Sequence, residues 1–350
     1  MLTSNSFEAV HYFLPFVIKK KGNLYKLFKL FESISSHHEI VSIQTVKKKI
    51  TLDSLQDEHY IDEHLKLDIL KLSNCKTVVF KTNKTTFTLH IHYKRESIDK
   101  LIHLLCFMLS YVTSMAPHRV KDVTCNYYLL DVKRVFDGDN YLDKEEVNGG
   151  VCRNVDDSCE FTVWRKEEIL KVSIHELIHG LGYDYRNDTN SIIKHYRSKY
   201  NITSPVMNTY EGYTEIMTEL IHSYLVSKFY HNISPTFDLY DLFVSNVGIE
   251  AEFSRFQSSK VVELFQKNSD ANKFTNVVAY YIITTELYNN LDDFIHFCLV
   301  NNRSFVKIKN KSRYLSYLKK VSKVEKKEYP ETGYYLKNTT RMTCLEIDLF

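Results

Sequence analysis

His175-Glu176-Leu177-Ile178-His179 is the stretch on which the reading of this 350-residue chain turns. On a helix, residues four apart share a face, with Cβ atoms roughly 5–6 Å apart. His175 and His179 can therefore present two imidazoles to one metal ion. Glu176, one position on from His175, can bring a carboxylate to a water on that metal. The spacing supplies two zinc ligands and a general base at once. The alternative is a helix whose histidines simply pack in the core.

Working outward, Arg165-Lys166-Glu167-Glu168 opens the run with charge, and the pattern predicts its carboxylates in a first helical turn. Ile169, Val172, Leu177 and Leu181 give an apolar stripe at helical spacing, and Gly180 and Gly182 offer a C-terminal stop. Just upstream, Val147-Asn148-Gly149-Gly150-Val151-Cys152 and Cys159-Glu160-Phe161-Thr162-Val163-Trp164 predict a hairpin turning around Asp156-Asp157-Ser158. Strand glycines let another backbone approach closely. Asn148, Gly149 and Gly150 are thus a candidate edge for an extended peptide, or a glycine-softened bend. Cys152 and Cys159 flank the turn and could face each other, and a reduced pair is expected.

A catalytic zinc needs a third protein ligand and an open position. Downstream, Glu211, Glu215 and Glu219 are four apart and share a helix face, while Met217, Leu220, Ile221 and Leu225 give that helix a core side. Stacked carboxylates repel unless a cation compensates. One would ligate, and the one a turn later could orient a histidine through its free N–H. The spacing alone leaves Glu211 and Glu215 open, and an acidic solvent face is the alternative.

With these residues in hand, HELIH followed some thirty residues on by EGYTE resembles the gluzincin branch of zinc metallopeptidases, the group of thermolysin, neprilysin and the clostridial and anthrax toxin proteases. The resemblance covers about residues 145–225. Carried over by position, it implies Glu211 as the third ligand and Glu215 as its supporting partner, with Asn148-Gly149-Gly150 as a substrate-binding edge strand. The combination of NGG, RKEE, HELIH and ExYxE also resembles uncharacterised metallopeptidase-like proteins of large DNA viruses. A second branch competes. HELIHGLGYDY follows the metzincin pattern as far as Gly182, but Tyr185 stands where that pattern wants histidine, with Asp184 one place off; Met207 could serve as a Met-turn.

Composition sets the frame. The chain is 44% hydrophobic and 25% charged, values of a globular protein. Its net charge of +3 is too small to indicate nucleic acid as the main partner. Scarce glycine (9) and proline (5) beside 25 tyrosines and 21 phenylalanines predict much regular structure. Seven scattered cysteines do not make a disulfide framework. Phe13 to Ile18 is too short for a signal segment, with Lys19-Lys20-Lys21 on its wrong side. The longest apolar run, Leu101 to Val112, is too short for a span, so a cytoplasmic setting is expected (host cytoplasm or virion, were the chain viral).

Elsewhere, Thr77–Phe80 and Thr86–Tyr93 predict a strand pair joined at Asn83-Lys84, with Phe87, Leu89, Ile91 and Tyr93 on one face and His90 and His92 on a polar one. A helix is expected from Ser97 to Met115, a strand over Val123–Val132, and a turn at Asp137-Gly138-Asp139-Asn140. Ala251–Phe265 and Val277–Cys298 read as helices. His222, Tyr280 and Tyr281 are candidate oxyanion donors. Lys307, Lys309, Lys311, Arg313, Lys319, Lys320, Lys323, Lys326 and Lys327 read as a solvated basic face or a docking surface for an acidic partner.

The expectation is therefore an α+β, zincin-like fold: a mixed N-terminal sheet with the active-site helix, and a mainly helical C-terminal half. Residues 1–70 carry no assigned role, 71–235 form the catalytic core, and 236–350 a helical subdomain with a basic tail. The expected activity is zinc-dependent hydrolysis of peptide bonds in a peptide or protein substrate, with His175, His179 and Glu211 on Zn2+ and Glu176 as general base. Neither a nucleic-acid nor a membrane partner is indicated, and the sequence leaves oligomeric state open. The competing class is a degenerate peptidase fold kept as a non-catalytic binding or structural protein.

Overall fold

The computed structural model describes residues 1–16, 22–46, 50–51, 55, 59–136 and 141–350. Lys19–Lys21 and the turn expected at 137–140 lie outside the described residues. In chain order the elements are α1 (Ser4–Phe13), α2 (Leu24–Ser33), β1 (Glu39–Val46), α3 (Glu63–Ile69), β2 (Asn74–Lys81), β3 (Thr86–Tyr93), α4 (Asp99–Ser114), β4 (Asp122–Tyr128), α5 (Lys144–Val147), β5 (Gly150–Val155), β6 (Ser158–Val163) and α6 (Ile169–Gly180). There follow α7 (Asn190–Tyr200), α8 (Thr209–Ile233), α9 (Leu239–Lys267), a π-helical turn (Val278–Ile283), α10 (Thr284–Asn289), α11 (Leu291–Asn301), α12 (Lys311–Leu318) and α13 (Tyr334–Asn338). The fold is mixed α+β. It divides into two units, one of Met1–Ser33, Arg134–Val147 and Asp184–Ile347, the other of Ile34–Lys133, Asn148–Tyr183 and Asp348–Phe350.

The second unit is built on a six-stranded sheet ordered β1-β2-β3-β4-β6-β5. The period-two alternation of β2 and β3 gives an antiparallel pair in register from Lys81 opposite Thr86 to Asn74 opposite Tyr93. β3, β4 and β6 run parallel, and β5 closes the far edge antiparallel to β6. One face gathers Phe87, Leu89, Ile91, Val123, Cys125, Tyr127, Phe161 and Val163, all buried. The Ser173 hydroxyl of α6 donates to Tyr127 Oη on that face at 3.1 Å. The other face is polar as read, with Thr88 and His90 half-buried, but His92 on it is buried, its ring tilted against that of Tyr128 at 5.2 Å. Leu65 and Ile69 of α3 pack with Trp164 and Leu130 in a second apolar cluster.

In the first unit, α8 is buried on every side from Glu211 to Ser227, and α9 is buried along most of its middle. Aromatic rings dominate the packing: Phe31 lies 5.3 Å from Tyr224, and Tyr224 5.9 Å from Phe243. Most of the basic residues after 303 are exposed, as the sequence suggested, and some are paired within this unit. Lys326 and Lys327 pair with Glu263 and Glu252 at 2.9 and 2.8 Å, and Lys319 donates to Ser191 Oγ at 2.7 Å.

Candidate metal centre

Each site residue is placed by local rules that begin in the sequence. α6 starts later than its charges suggested. Glu168 holds the left-handed conformation (φ 60°) before the first turn, and no acid lies inside that turn. The preceding charges anchor the approach instead. Buried Arg165 donates from Nε to the Asn148 carbonyl at 3.0 Å and from Nη1 to the Lys133 carbonyl at 3.1 Å. Lys166 Nζ meets Glu96 Oε1 at 2.5 Å.

The helix ends where the glycine was expected to end it. Gly182 takes φ +61°, its N–H donates to the His179 carbonyl and that of Tyr183 to the Ile178 carbonyl, both at 3.1 Å. This crossed pair is the Schellman arrangement, which only a residue tolerant of positive φ completes cheaply. Tyr183 then donates to the Ala116 carbonyl at 2.8 Å, fixing the end of α6 to the end of α4.

All twelve residues of α6 are buried. His175 and His179 point their Nε2 atoms at each other, 3.1 Å apart. Two nitrogens at 2.0–2.1 Å from one tetrahedral zinc would stand about 3.3 Å apart, so the spacing of this pair suits a shared metal. Glu176 lies against β5: a β-carbon at Gly150 would fall 2.6 Å from Glu176 Oε1 and 2.7 Å from Val172 Cγ1. Gly150 opens the edge strand β5, with Asn148 and Gly149 just before it and the Gly149 carbonyl accepting from Trp164 N at 3.1 Å. The bareness of Gly150 thus seats Glu176. The sequence offered no sign of that role, because it depends on the distance between a strand and a helix.

Glu211 lies in the first turn of α8. That turn is held by Asp188, whose carboxylate accepts from the Thr209 backbone N–H and from Thr209 Oγ1. Tyr185 Oη shares a 2.7 Å hydrogen bond with the same Thr209 hydroxyl. The tyrosine standing at the metzincin ligand position is thereby occupied in starting α8. Glu215 and Glu219 are 0% and 2% exposed, so this helix presents no acidic solvent face. His175, His179 and Glu211 are all buried and each offers one ligand atom. They are the one group of three or more His, Cys, Asp and Glu side chains among the described residues that could hold a metal ion.

Of the expected oxyanion donors, buried Tyr281 donates its hydroxyl to the Thr340 carbonyl at 2.5 Å, and His222 is buried. Among the described residues no helix is long and apolar enough to cross a membrane.

Comparison with known proteins adds one distant likeness. The chain is 29% identical over 112 residues to Uncharacterized protein R210 of Acanthamoeba polyphaga mimivirus, covering 32% of this chain and 28% of that protein. It thus spans less than a third of that relative's length. No protein-family profile and no solved structure matches.

Proposed function

We propose that the chain is a zinc-dependent peptidase of zincin-like fold, in which His175, His179 and Glu211 hold the metal and Glu176 is the general base. The observation that carries this reading is the buried imidazole pair at 3.1 Å, set on a helix whose next side chain is a carboxylate seated on Gly150. Two imidazoles and a carboxylate are costly groups to bury, and a divalent cation compensates all three. Two nitrogens and one oxygen make a donor set suited to zinc, with a fourth position left for water or substrate.

A bound zinc ion would supply a Lewis acid for a peptide carbonyl and make water a nucleophile near neutral pH. Glu176 accepts the proton of the attacking water on its carboxylate and returns it to the leaving amine. The bare backbone at Gly150 leaves the room that carboxylate occupies. The edge strand β5 offers backbone groups on which an extended peptide could align, which makes peptides and proteins the substrate class.

The test combines metal analysis with a peptide library. Purified protein is expected to carry one zinc per chain, lost in His175→Ala and His179→Ala. Glu176→Gln is expected to keep the zinc and lose about 10²–10⁴-fold in hydrolysis. A wild-type protein that neither holds nor takes up zinc overturns the reading, as does a Glu176→Gln variant of full activity.

A further inference from the structure

None of the seven cysteines is in a disulfide, but two stand apart from the rest. Cys152 of β5 and Cys159 of β6 have their sulfurs 3.5 Å apart. Cys152 lies opposite Phe161 and Cys159 opposite Asn154, so the two cysteines are one diagonal step apart on the same face of the hairpin. That face meets the end of α6. A β-carbon at Gly180 would fall 2.3 Å from Cys159 Sγ and 3.5 Å from Cys152 Sγ, so the sulfurs occupy the space this glycine leaves. Beside them, Asn154 Nδ2 donates to the His179 carbonyl at 3.2 Å, and the Cys152 thiol donates to Asn154 Oδ1 at 3.5 Å. The hairpin sulfurs are therefore part of the seat of the last turn of α6.

We propose that Cys152 and Cys159 are a modification site, a dithiol that a peroxide converts to a disulfide and a small thiol restores. Cys152 is half-buried and reachable, while Cys159 is buried beneath it, which assigns the first attack to Cys152. Its thiolate attacks one peroxide oxygen, the O–O bond breaks, and a sulfenic acid and one water result. The Cys159 sulfur then attacks the sulfenic sulfur, the S–S bond forms, the S–O bond breaks and a second water leaves. The peroxide takes two electrons and the two thiol protons leave in the waters. Cys125 is the rival partner, since its neighbour Val123 pairs with Cys159 on the next strand. Complete burial raises the Cys125 thiol well above its ordinary range, which keeps it protonated and unreactive.

Bond formation requires the sulfurs to close from 3.5 Å to about 2.05 Å, drawing them from their place against Gly180. The effect on the metal rests on the proposed zinc site; formation of the bond does not.

The full-length protein is treated with hydrogen peroxide, its remaining thiols are alkylated in denaturant, and it is digested with trypsin. Cleavage after Arg153 separates the two cysteines, so the bond links peptide Glu145–Arg153 to peptide Asn154–Arg165. The expected result is that linked pair, two of seven thiols lost, full recovery with dithiothreitol, and no link in Cys152→Ser or Cys159→Ser. Seven alkylated thiols, a Cys159–Cys125 link, or overoxidised Cys152 without a link each overturn the proposal. In a parallel zinc titration the oxidised wild type is expected to lose about 10-fold or more in affinity, as when groups supporting a metal ligand are disturbed, and peroxide-treated Cys152→Ser to lose none. Equal affinity in oxidised and reduced wild type refutes the coupling to α6. A reduced protein that takes up no zinc sinks the metal reading alone and leaves the linked peptides standing.

Discussion

Replacing Gly150 by alanine tests whether β5 lies close enough to α6 to fix the Glu176 side chain. The new β-carbon would lie 2.7 Å from Val172 Cγ1 and 2.6 and 2.8 Å from Glu176 Oε1 and Cγ. Ordinary carbon contacts are about 3.5–4.0 Å, so the overlap is roughly 1 Å on two sides. Val172 is β-branched and buried in a helix, with one strongly preferred rotamer, so its methyl cannot swing away. The Glu176 side chain is the softer neighbour and has to move. An extra methyl forced into a packed interior costs about 1–3 kcal/mol, and urea denaturation reads that loss directly. Val172→Ala removes the methyl that cannot yield, so the double variant is expected to recover part of the loss. The coupling should fall within the ~0.5–3 kcal/mol seen for residues in contact. Zinc content should be unchanged, whereas kcat should fall, because the displaced group is the proposed base and not one of the proposed ligands. An additive cycle with a Gly150→Ala cost under about 0.5 kcal/mol would show the close approach to be wrong. A destabilised variant with undiminished kcat would show that the seat on Gly150 has no part in catalysis.

The remaining predictions concern the third ligand, the start of α8 and an ion pair before α6. Glu211→Ala is expected to weaken zinc binding far more than Tyr185→Phe or Asp184→Ala, with Glu215→Ala about 10–100-fold down as a supporting group; a titration in which only Asp184 or Tyr185 matters sinks the assignment. Asp188→Ala removes the carboxylate that caps Thr209 and should cost about 0.5–2 kcal/mol of stability together with zinc affinity, read by denaturation and by competition with a chelator; loss of stability with unaltered affinity would separate the cap from the metal. Burial alone would raise the Glu96 carboxyl, but Lys166 and backbone N–H groups bring it down to about 2 from an ordinary 4.5. A depressed carboxyl stabilises the fold above its unfolded pKa and loses that contribution as pH falls through the folded one. Glu96→Gln should therefore be about 1 kcal/mol less stable at pH 7, the gap narrowing between pH 4.5 and 2; a pH-independent gap refutes it.

Much of the second unit was legible because its elements carry their own period. Phe87, Leu89 and Ile91 alternate and are buried on one face; the glycine two residues past α6 closes it in the conformation that glycine alone takes cheaply. What the sequence did not disclose is long-range. The parallel pairing of β3, β4 and β6 joins strands separated by whole helices and loops, and no local pattern encodes a neighbour. β1 was missed for a related reason. As an edge strand it leaves Val41 and Ile43 about half exposed, so the burial that makes alternation readable is absent. The lysines after 303 divide between the two. Their spacing reads as a solvated face, and most of them are exposed; what it does not show is that Lys326 and Lys327 pair with Glu263 and Glu252 of α9, partners some sixty or more residues away.

At the site, the histidine pair was readable from a spacing of four, whereas spacing alone left the proposed third ligand open between Glu211 and Glu215 and only the resemblance favoured Glu211, because both repeat that spacing and each has a carboxylate one turn further on. The position of the helix start breaks this symmetry. With α8 beginning at Thr209, Glu211 falls in the first turn and Glu215 in the second. The first turn is where the partial positive charge of the helix end stabilises an anion, so Glu211 is the member of the pair best kept as a carboxylate when buried. The start itself is imposed from outside the helix, by Asp188 accepting from Thr209 and by Tyr185 sharing its hydroxyl. The residues that hold the start of α8, and so decide which glutamate falls in its first turn, thus lie in the loop just after the histidines. That loop carries the metzincin-like spacing in sequence, and in the structure it serves the glutamate helix instead.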